Sequence, residues 1–418
     1  MNARQYNITV IGLAAAVLGG TVLLNATTDP YGLAVDSQRV ALAGSDDEVR
    51  AGTFWRKTFA VRKTMPRTVI LGTSRAEAGL DARYDGFAAE YRPVMNLALG
   101  ALSIGQTREL LIHADAVTTV RMAIIGLDME SFLDEGRPDF DSAALRGNPE
   151  SEPERLVRLR MDVSRMTLAA SIARWIESKD STRLDTRHQG TRSPQRMISD
   201  AELEEFDGQR GVIWAAEFSN FNSRHRYLFP PSQTSTQWES DRPRAAAMSQ
   251  FRELLKYARA HGIELRMFIS PVHARYLEWY RRVGWWPLFE AWKRSLVESV
   301  EEEAKAAGSV PFALWDFSGF HVLAKETVPR LGDQSTLMRW YRDTSHYSPE
   351  LGDLILARLL GESGIGNPDL AASPMQWTSI ERHLANIRQG SDQYRLDQPE
   401  EVANVAEMLA YLQRLARK

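Results

Sequence analysis

Val69-Ile70-Leu71-Gly72-Thr73-Ser74-Arg75 is the stretch whose reading decides the fold class. A β-branched, apolar run starting at Thr68 ends at a glycine, and a serine then opens a polar segment. That pattern predicts a buried strand over 68–71 feeding a helix. The same rhythm continues outward. Val94–Leu99 reads as a second strand, Ile104–Ala116 as a helix and Met122–Leu127 as a third strand. Further along, Ala245–His261 carries Met248, Phe251, Leu254, Leu255 and Ala258 at helical spacing and stops at Gly262. Glu264–Ile269 predicts a fourth strand, Trp286–Ala306 an amphipathic helix and Pro311–Asp316 a fifth strand. Ser348-Pro349 starts a helix to Leu360, with serine as N-cap and proline at the first helical position. Strands alternating with helices predict an α/β fold, a three-layer sandwich around a mainly parallel five-stranded sheet.

Two regions break the rhythm. Residues of about 130–244 separate the third strand from its next helix. They are rich in Arg, Ser, Asp and Glu, with helical periodicity around Leu156–Ile176 and an aromatic, proline-containing stretch over Phe221–Trp238. This reads as an insertion forming a cap or substrate-binding lobe. The tail over 371–418 reads as helical, over Trp377–Ile387 and Val402–Leu415.

At the other end, Ile8–Leu24 is 17 residues without a charge, the short end of what spans a bilayer. Arg4 precedes it and Asp29 and Asp36 follow, which favours the N-terminus inside and the remaining chain outside. An uncleaved anchor, a cleaved signal peptide and a buried helix are the three readings, the first preferred because Leu24-Asn25-Ala26 is a poor cleavage site. The expected organisation is therefore an anchor over 1–30, a catalytic domain over 31–370 with its insertion, and the tail.

Composition narrows the function. The 418 residues are 44% hydrophobic and 25% charged with a net charge of −3, ordinary for globular chains and without the basic excess of a nucleic-acid binder. Cysteine is absent, which excludes disulfides, thiol nucleophiles and Cys-ligated metals. No H-E-x-x-H, Walker or G-x-G-x-x-G pattern occurs, so neither a metal nor a nucleotide cofactor is expected.

Three residues carry the chemistry. Ser74 lies just past the carboxyl end of the first strand, where open parallel sheets bind ligands. Asp343 and His346 lie three apart, just before a helix. A serine hydroxyl needs a base to take its proton, and the base needs a carboxylate to orient it. Against this stands the capping box S-x-x-E formed by Ser74 and Glu77, which would make the serine a helix cap. His273 and His321, each after a strand, would face the same crevice, as substrate contacts or as loop histidines with ordinary hydrogen bonds, and His113 reads as structural. Trp285, Trp286, Trp315 and Trp340 are candidates to stack on sugar rings, or core residues.

Gly72-Thr73-Ser74-Arg75, Asn96–Ala101, Gly126-Leu127-Asp128 and Asp343-Thr344-Ser345-His346 together resemble the four blocks of the SGNH/GDSL hydrolase superfamily. The nearest likeness is to its membrane-anchored branch that modifies cell-surface polymers, including the alginate O-acetylation proteins and the D-alanine transfer protein of teichoic acids. The likeness spans roughly 65–130 and 262–362. It implies an SGNH/flavodoxin-like sheet with Ser74 as nucleophile, His346 as base and Asp343 orienting it. It implies an oxyanion hole from Ser74, the Asn96 segment and a backbone amide at Gly100 or Ala101. Asp128 stands where the family has asparagine and cannot donate a hydrogen bond while ionised, so either it serves another role, such as holding Arg75 or a loop, or the hole uses only backbone amides. Asp128, Arg75 and His273 are also candidates to contact substrate, with a surface salt bridge the alternative for Arg75. The resemblance further implies a single-pass protein of the bacterial inner membrane with its main domain in the periplasm, a polysaccharide acceptor and a membrane-bound acyl-donor partner. The expected activity is acyl transfer or ester hydrolysis on O-acyl, chiefly O-acetyl, groups. The alternative is a catalytically inactive polysaccharide-binding or assembly protein of the envelope.

Overall fold

The computed structural model of the chain describes residues 3–28, 46–133, 167–168, 171–172, 198–222, 228–231, 237–362, 369–370 and 372–417. Most of the expected helical stretch Leu156–Ile176, all but residues 167–168 and 171–172, and much of Phe221–Trp238 lie outside the described residues. The chain divides into two compact units, Met1–Met65 with Ile112–Thr119 and Pro138–Gln189, and Pro66–Leu111 with Val120–Arg137 and Gly190–Lys418. The tail thus belongs to the same unit as the sheet.

The first unit contains α1 (Ala3–Thr28) and α2 (Asp46–Thr64). α1 is 26 residues, about 39 Å at 1.5 Å per residue, against a bilayer core of about 30 Å. Its most apolar window has a mean hydropathy of 2.0 and none of that window is buried, so by length and composition it can cross a membrane. In the same unit His113 Nε2 lies 3.1 Å from the Thr58 carbonyl, a structural role.

The second unit is built on a sheet. β1 (Thr68–Leu71) leads into the short helix α3 (Ser74–Gly79), followed by β2 (Val94–Asn96), α4 (Ile104–Thr118, whose last turns belong to the first unit) and β3 (Met122–Leu127). Then come α5 (Asp200–Glu205), α6 (Gln209–Asn222), α7 (Arg242–Ala260), β4 (Glu264–Ile269), α8 (Ala274–Val283), α9 (Trp286–Ala307) and β5 (Ala313–Asp316). The chain closes with α10 (Pro349–Leu360), β6 (Ser373–Pro374), α11 (Ile380–Asp397) and α12 (Pro399–Ala416). The sheet has six strands in the order β2-β1-β3-β4-β5-β6. β1 pairs in parallel with both β2 and β3, and β3–β4 and β4–β5 are parallel. The expectation of five strands is corrected by β6, a two-residue antiparallel partner of β5 that makes the sheet mixed.

β1 and β3 are buried at every position, as strands covered on both faces must be. One side of the core brings Ile70, Ile124 and Phe268 together with Leu351, Ile355 and Leu356 of α10. At 0.8 kcal/mol per buried CH₂, an order-of-magnitude figure of about 2 kcal/mol for each of these side chains, this packing fixes α10 firmly. α3 and α10 approach backbone to backbone. A Cβ on Gly352 would lie 1.7 Å from the Gly79 carbonyl oxygen, and one on Gly79 would lie 2.0 Å from the Tyr347 ring. The helix that begins at Ser74 and the helix that follows His346 are therefore locked together by two residues without side chains.

Candidate functional site

The order of strands reverses between β1 and β3, and crevices at such switch points are where open α/β sheets bind ligands. β1 delivers Thr73 and Ser74 there and β3 delivers Asp128. The chain leaves β1 through Gly72 at φ +137°, with its Cα so close to Gly126 that a Cβ would lie 2.8 Å from that residue's carbonyl oxygen. A side chain at Gly72 would block this exit.

Ser74 is not the helix cap. Thr73 is, its hydroxyl accepting the Arg75 N–H at 3.3 Å, so the capping box expected of Ser74 and Glu77 does not form. The Ser74 hydroxyl instead lies 2.8 Å from His346 Nε2. His346 Nδ1 lies 3.0 Å and 2.9 Å from the two Asp343 carboxylate oxygens. An ionised carboxylate only accepts, so Nδ1 carries the proton and Nε2 is left to accept from the serine. The three residues, 272 positions apart at the extremes, form one connected hydrogen-bond chain.

Asp343 is almost fully buried while the His346 side chain is 23% exposed. Burial opposes the Asp343 charge, but His346, Arg342 and the Ser345 amide outweigh it and hold the carboxyl below the usual carboxylate range. Its Oδ1 accepts from the amides of Ser345 (2.8 Å) and His346 (3.0 Å) and from the Ser345 hydroxyl (3.1 Å). Arg342 reaches Oδ2 at 3.3 Å and bridges to Glu202 of α5 at 2.5 Å.

The loop carrying the pair is held from outside the sheet. The Arg342 N–H donates to the His346 carbonyl at 3.0 Å, closing the loop on itself. Gln209 of α6 donates to the Tyr341 and Arg342 carbonyls at 2.9 and 3.0 Å. Thr344 donates to Glu217, which is fixed by the buried Arg275 at 2.8 and 3.0 Å. The described part of the expected cap, α5 and α6, therefore braces the Asp343–His346 loop.

The candidate substrate contacts are corrected by burial. The Arg75 guanidinium pairs with Asp128 at 2.9 Å and with Glu130 at 3.2 and 3.1 Å, and Asp128 also accepts from the Thr73 hydroxyl. Burial opposes the Glu130 charge, yet Arg75 and the Tyr276 and Tyr280 hydroxyls keep its carboxyl below the usual range. The cavity lined by Arg75, Asp128 and the unpartnered Ser270 hydroxyl has a volume of ≈ 10 Å³, room for one water. Arg75 and Asp128 thus buttress Thr73, and neither is open to a substrate. His273 is the N-cap of α8. Its Nδ1 accepts from Arg275 N at 3.2 Å, its Nε2 lies 2.7 Å from the Glu326 carbonyl, and burial pushes it down to about 4. It too is structural. His321 is buried in the same manner, 3.1 Å from the Phe317 carbonyl.

The oxyanion candidates separate. The Asn96 amide donates to the Ala76 and Leu80 carbonyls at 3.0 and 2.8 Å, and its oxygen accepts from Ala98 N at 3.0 Å. It ties the strand end to α3 and has no donor left over. The Gly100 N–H donates to Glu77 Oε2 at 3.1 Å. Ala101 has φ +57°, a left-handed conformation costing an alanine about 1–2 kcal/mol, and its N–H meets no acceptor among the described residues. Of the two amides the resemblance offers, the Gly100 N–H is therefore already taken by a carboxylate. Gln209 and Glu217 gave no signal in the sequence, because each acts on a partner far away along the chain, and Glu77 stood out only as a capping partner of Ser74, not as the acceptor of the Gly100 N–H.

No group of three or more His, Asp or Glu able to hold a metal occurs among the described residues. No protein-family model matches the chain, and no curated protein matches it.

Proposed function

We propose that this protein is a serine-dependent acyltransferase or esterase, resembling the SGNH/GDSL superfamily, which acts on O-acyl groups of a cell-surface polysaccharide from a membrane-anchored position. The observation that carries the reading is the chain Ser74 Oγ, His346 Nε2, His346 Nδ1, Asp343, with all links between 2.8 and 3.0 Å, at the switch point of the sheet. Pairwise, a cap serine or a loop histidine is commonplace; a nucleophile, base and orienting carboxylate in one line is the arrangement that acyl transfer requires.

Ser74 Oγ attacks the acyl carbonyl and its proton passes to His346 Nε2. The carbonyl oxygen becomes an oxyanion, steadied by the backbone amides of Ser74 and Ala101. His346 returns the proton to the departing oxygen, leaving an acyl-serine. A hydroxyl of the acceptor, or water, then gives its proton to His346 Nε2 as its oxygen attacks the acyl carbon, and His346 returns that proton to the departing Ser74 Oγ, which restores the free serine. Asp343 stays ionised throughout and holds the imidazolium. An anchored α1 would place this chemistry in the periplasm of a bacterial cell, near an acyl-donor partner in the inner membrane.

The test is hydrolysis of p-nitrophenyl acetate by the full chain in detergent, with Ser74→Ala and His346→Ala alongside. Turnover in the wild type, lost in both variants, supports the reading. Equal rates in all three refute it.

A further inference from the structure

Glu77 sits one turn after Ser74 on α3 and takes the Gly100 N–H. Gly100 and Ala101 are the central residues of a turn closed by the Leu102 N–H on the Leu99 carbonyl at 3.3 Å. A positive φ at only the second central residue is the type II arrangement, which favours glycine at that place. This chain has its glycine one position early and puts an alanine in the left-handed region. Such a conformation persists only where its surroundings impose it. One restraint is backbone, the Leu99 N–H on the Gly72 carbonyl at 3.1 Å. A second is the Glu77 carboxylate. The turn abuts the nucleophile, since a Cβ on Gly100 would lie 3.7 Å from the Ser74 Cβ.

We propose that Glu77 is a positioning residue, whose carboxylate clamps Gly100 so that the strained turn presents the Ala101 N–H beside Ser74. This rests on the acyl-transfer reading above. It gives α3 two tasks, one turn apart: Ser74 reacts, and Glu77 holds the amide that receives the negative charge. It also accounts for an alanine where a glycine is the easier residue, because the clamp supplies what the residue type does not.

The test uses the full chain in detergent as wild type, Glu77→Ala, Glu77→Gln and Glu77→Ala with Ala101→Gly. Hydrogen exchange over peptides covering 97–103 reads the clamp itself. We expect exchange there to quicken about tenfold in Glu77→Ala and to stay near wild type in Glu77→Gln, whose amide oxygen still accepts. Ser74-dependent p-nitrophenyl acetate turnover reads the consequence. Losing one oxyanion donor costs on the order of 100-fold in kcat. A loosened donor should cost about 10- to 100-fold, with KM within about twofold. Glu77→Gln should keep most of the rate, and Ala101→Gly should recover about tenfold in the Glu77→Ala background, since glycine adopts the turn without a clamp.

Wild-type kcat or a faster kcat in Glu77→Ala overturns the proposal, as does unaltered exchange. An equal fall in Glu77→Ala and Glu77→Gln without recovery also overturns it, because the carboxylate would then act through its charge. Absence of Ser74-dependent turnover in the wild type itself would overturn the acyl-transfer reading and the donor role with it, while the exchange comparison would still decide whether the clamp exists.

Discussion

Asp343→Asn isolates the role of the triad carboxylate without emptying its site. Three donors converge on Oδ1, the Ser345 and His346 amides and the Ser345 hydroxyl. They will hold the carboxamide oxygen at that place, which puts the new NH₂ where Oδ2 stands, 2.9 Å from His346 Nδ1 and 3.3 Å from Arg342. A donor now faces Nδ1, so the imidazole proton moves to Nε2. There it points at Ser74 Oγ, 2.8 Å away, and the histidine can no longer accept the serine proton. Where a serine triad has been trapped in this wrong tautomer the loss is about 10⁴ in kcat. At about 1.36 kcal/mol per tenfold, 10³ to 10⁴ is about 4–5.5 kcal/mol of transition-state stabilisation. The assay is steady-state p-nitrophenyl acetate hydrolysis by the full chain at pH 7.5, with Tm measured in parallel. A kcat within tenfold of wild type, in a protein of unchanged Tm, would refute the reasoning, because the tautomer could not then matter.

Three further outcomes follow from buried charges. Lys293 and Asp316 form a fully buried pair at 2.6 Å, with His383 2.7 Å from the same carboxylate oxygen. Lys293→Met leaves Asp316 short of its cation and should cost about 3–5 kcal/mol, lowering Tm by on the order of 10 °C in thermal denaturation. Burial first, then Asp81 and Glu350, push the half-buried Asp353 up to about 6, above its unfolded value of about 4. Its contribution to stability is therefore present at low pH and lost as pH rises through 6. Asp353→Asn should gain about 1 kcal/mol at pH 7, after allowing for screening at a half-exposed site, and nothing at pH 4, by urea denaturation. Burial pushes His321 down to about 4, so between about pH 6.5 and 4 the unfolded chain binds more protons and stability falls as pH falls. His321→Gln should flatten the loss of urea midpoint between pH 7 and 5; an unchanged slope would count against that assignment.

Much of the fold was legible because its signals are local. β1, β3 and β4 match their expected spans residue for residue, and Ser348-Pro349 starts α10 as a cap and first-turn proline should. β2 stops at Asn96, three residues early, because the Asn96 side chain turns the chain toward α3. β6 is two residues with a proline, too short for any periodicity. α8 was missed although Tyr276, Leu277, Tyr280 and Val283 form a helical stripe, and its cap His273 drew attention as a ligand-binding residue. At the site, Asp343 and His346 were readable because three residues of spacing suffice to join them. Asp128 holding Arg75 was among the readings of the sequence, but the Thr73 cap, the part of Glu130 in the Arg75–Asp128 cluster and the Glu77–Gly100 hydrogen bond were not, because each depends on which side chains the sheet brings face to face. For Arg75, Asp128 and His273 the structure shows the ion-pair and hydrogen-bonded alternatives, because a polar residue near a strand end can face inward and burial is not written in residue type.

The central claim, that Ser74 is an activated nucleophile, is tested most directly by covalent capture. The full chain in detergent is incubated with a fluorophosphonate, and intact mass and peptide masses are measured. The account predicts a single adduct on the peptide carrying Ser74, absent in Ser74→Ala and formed at least about 100-fold more slowly in His346→Ala. No adduct on folded wild-type protein, or an adduct on another serine, would contradict it.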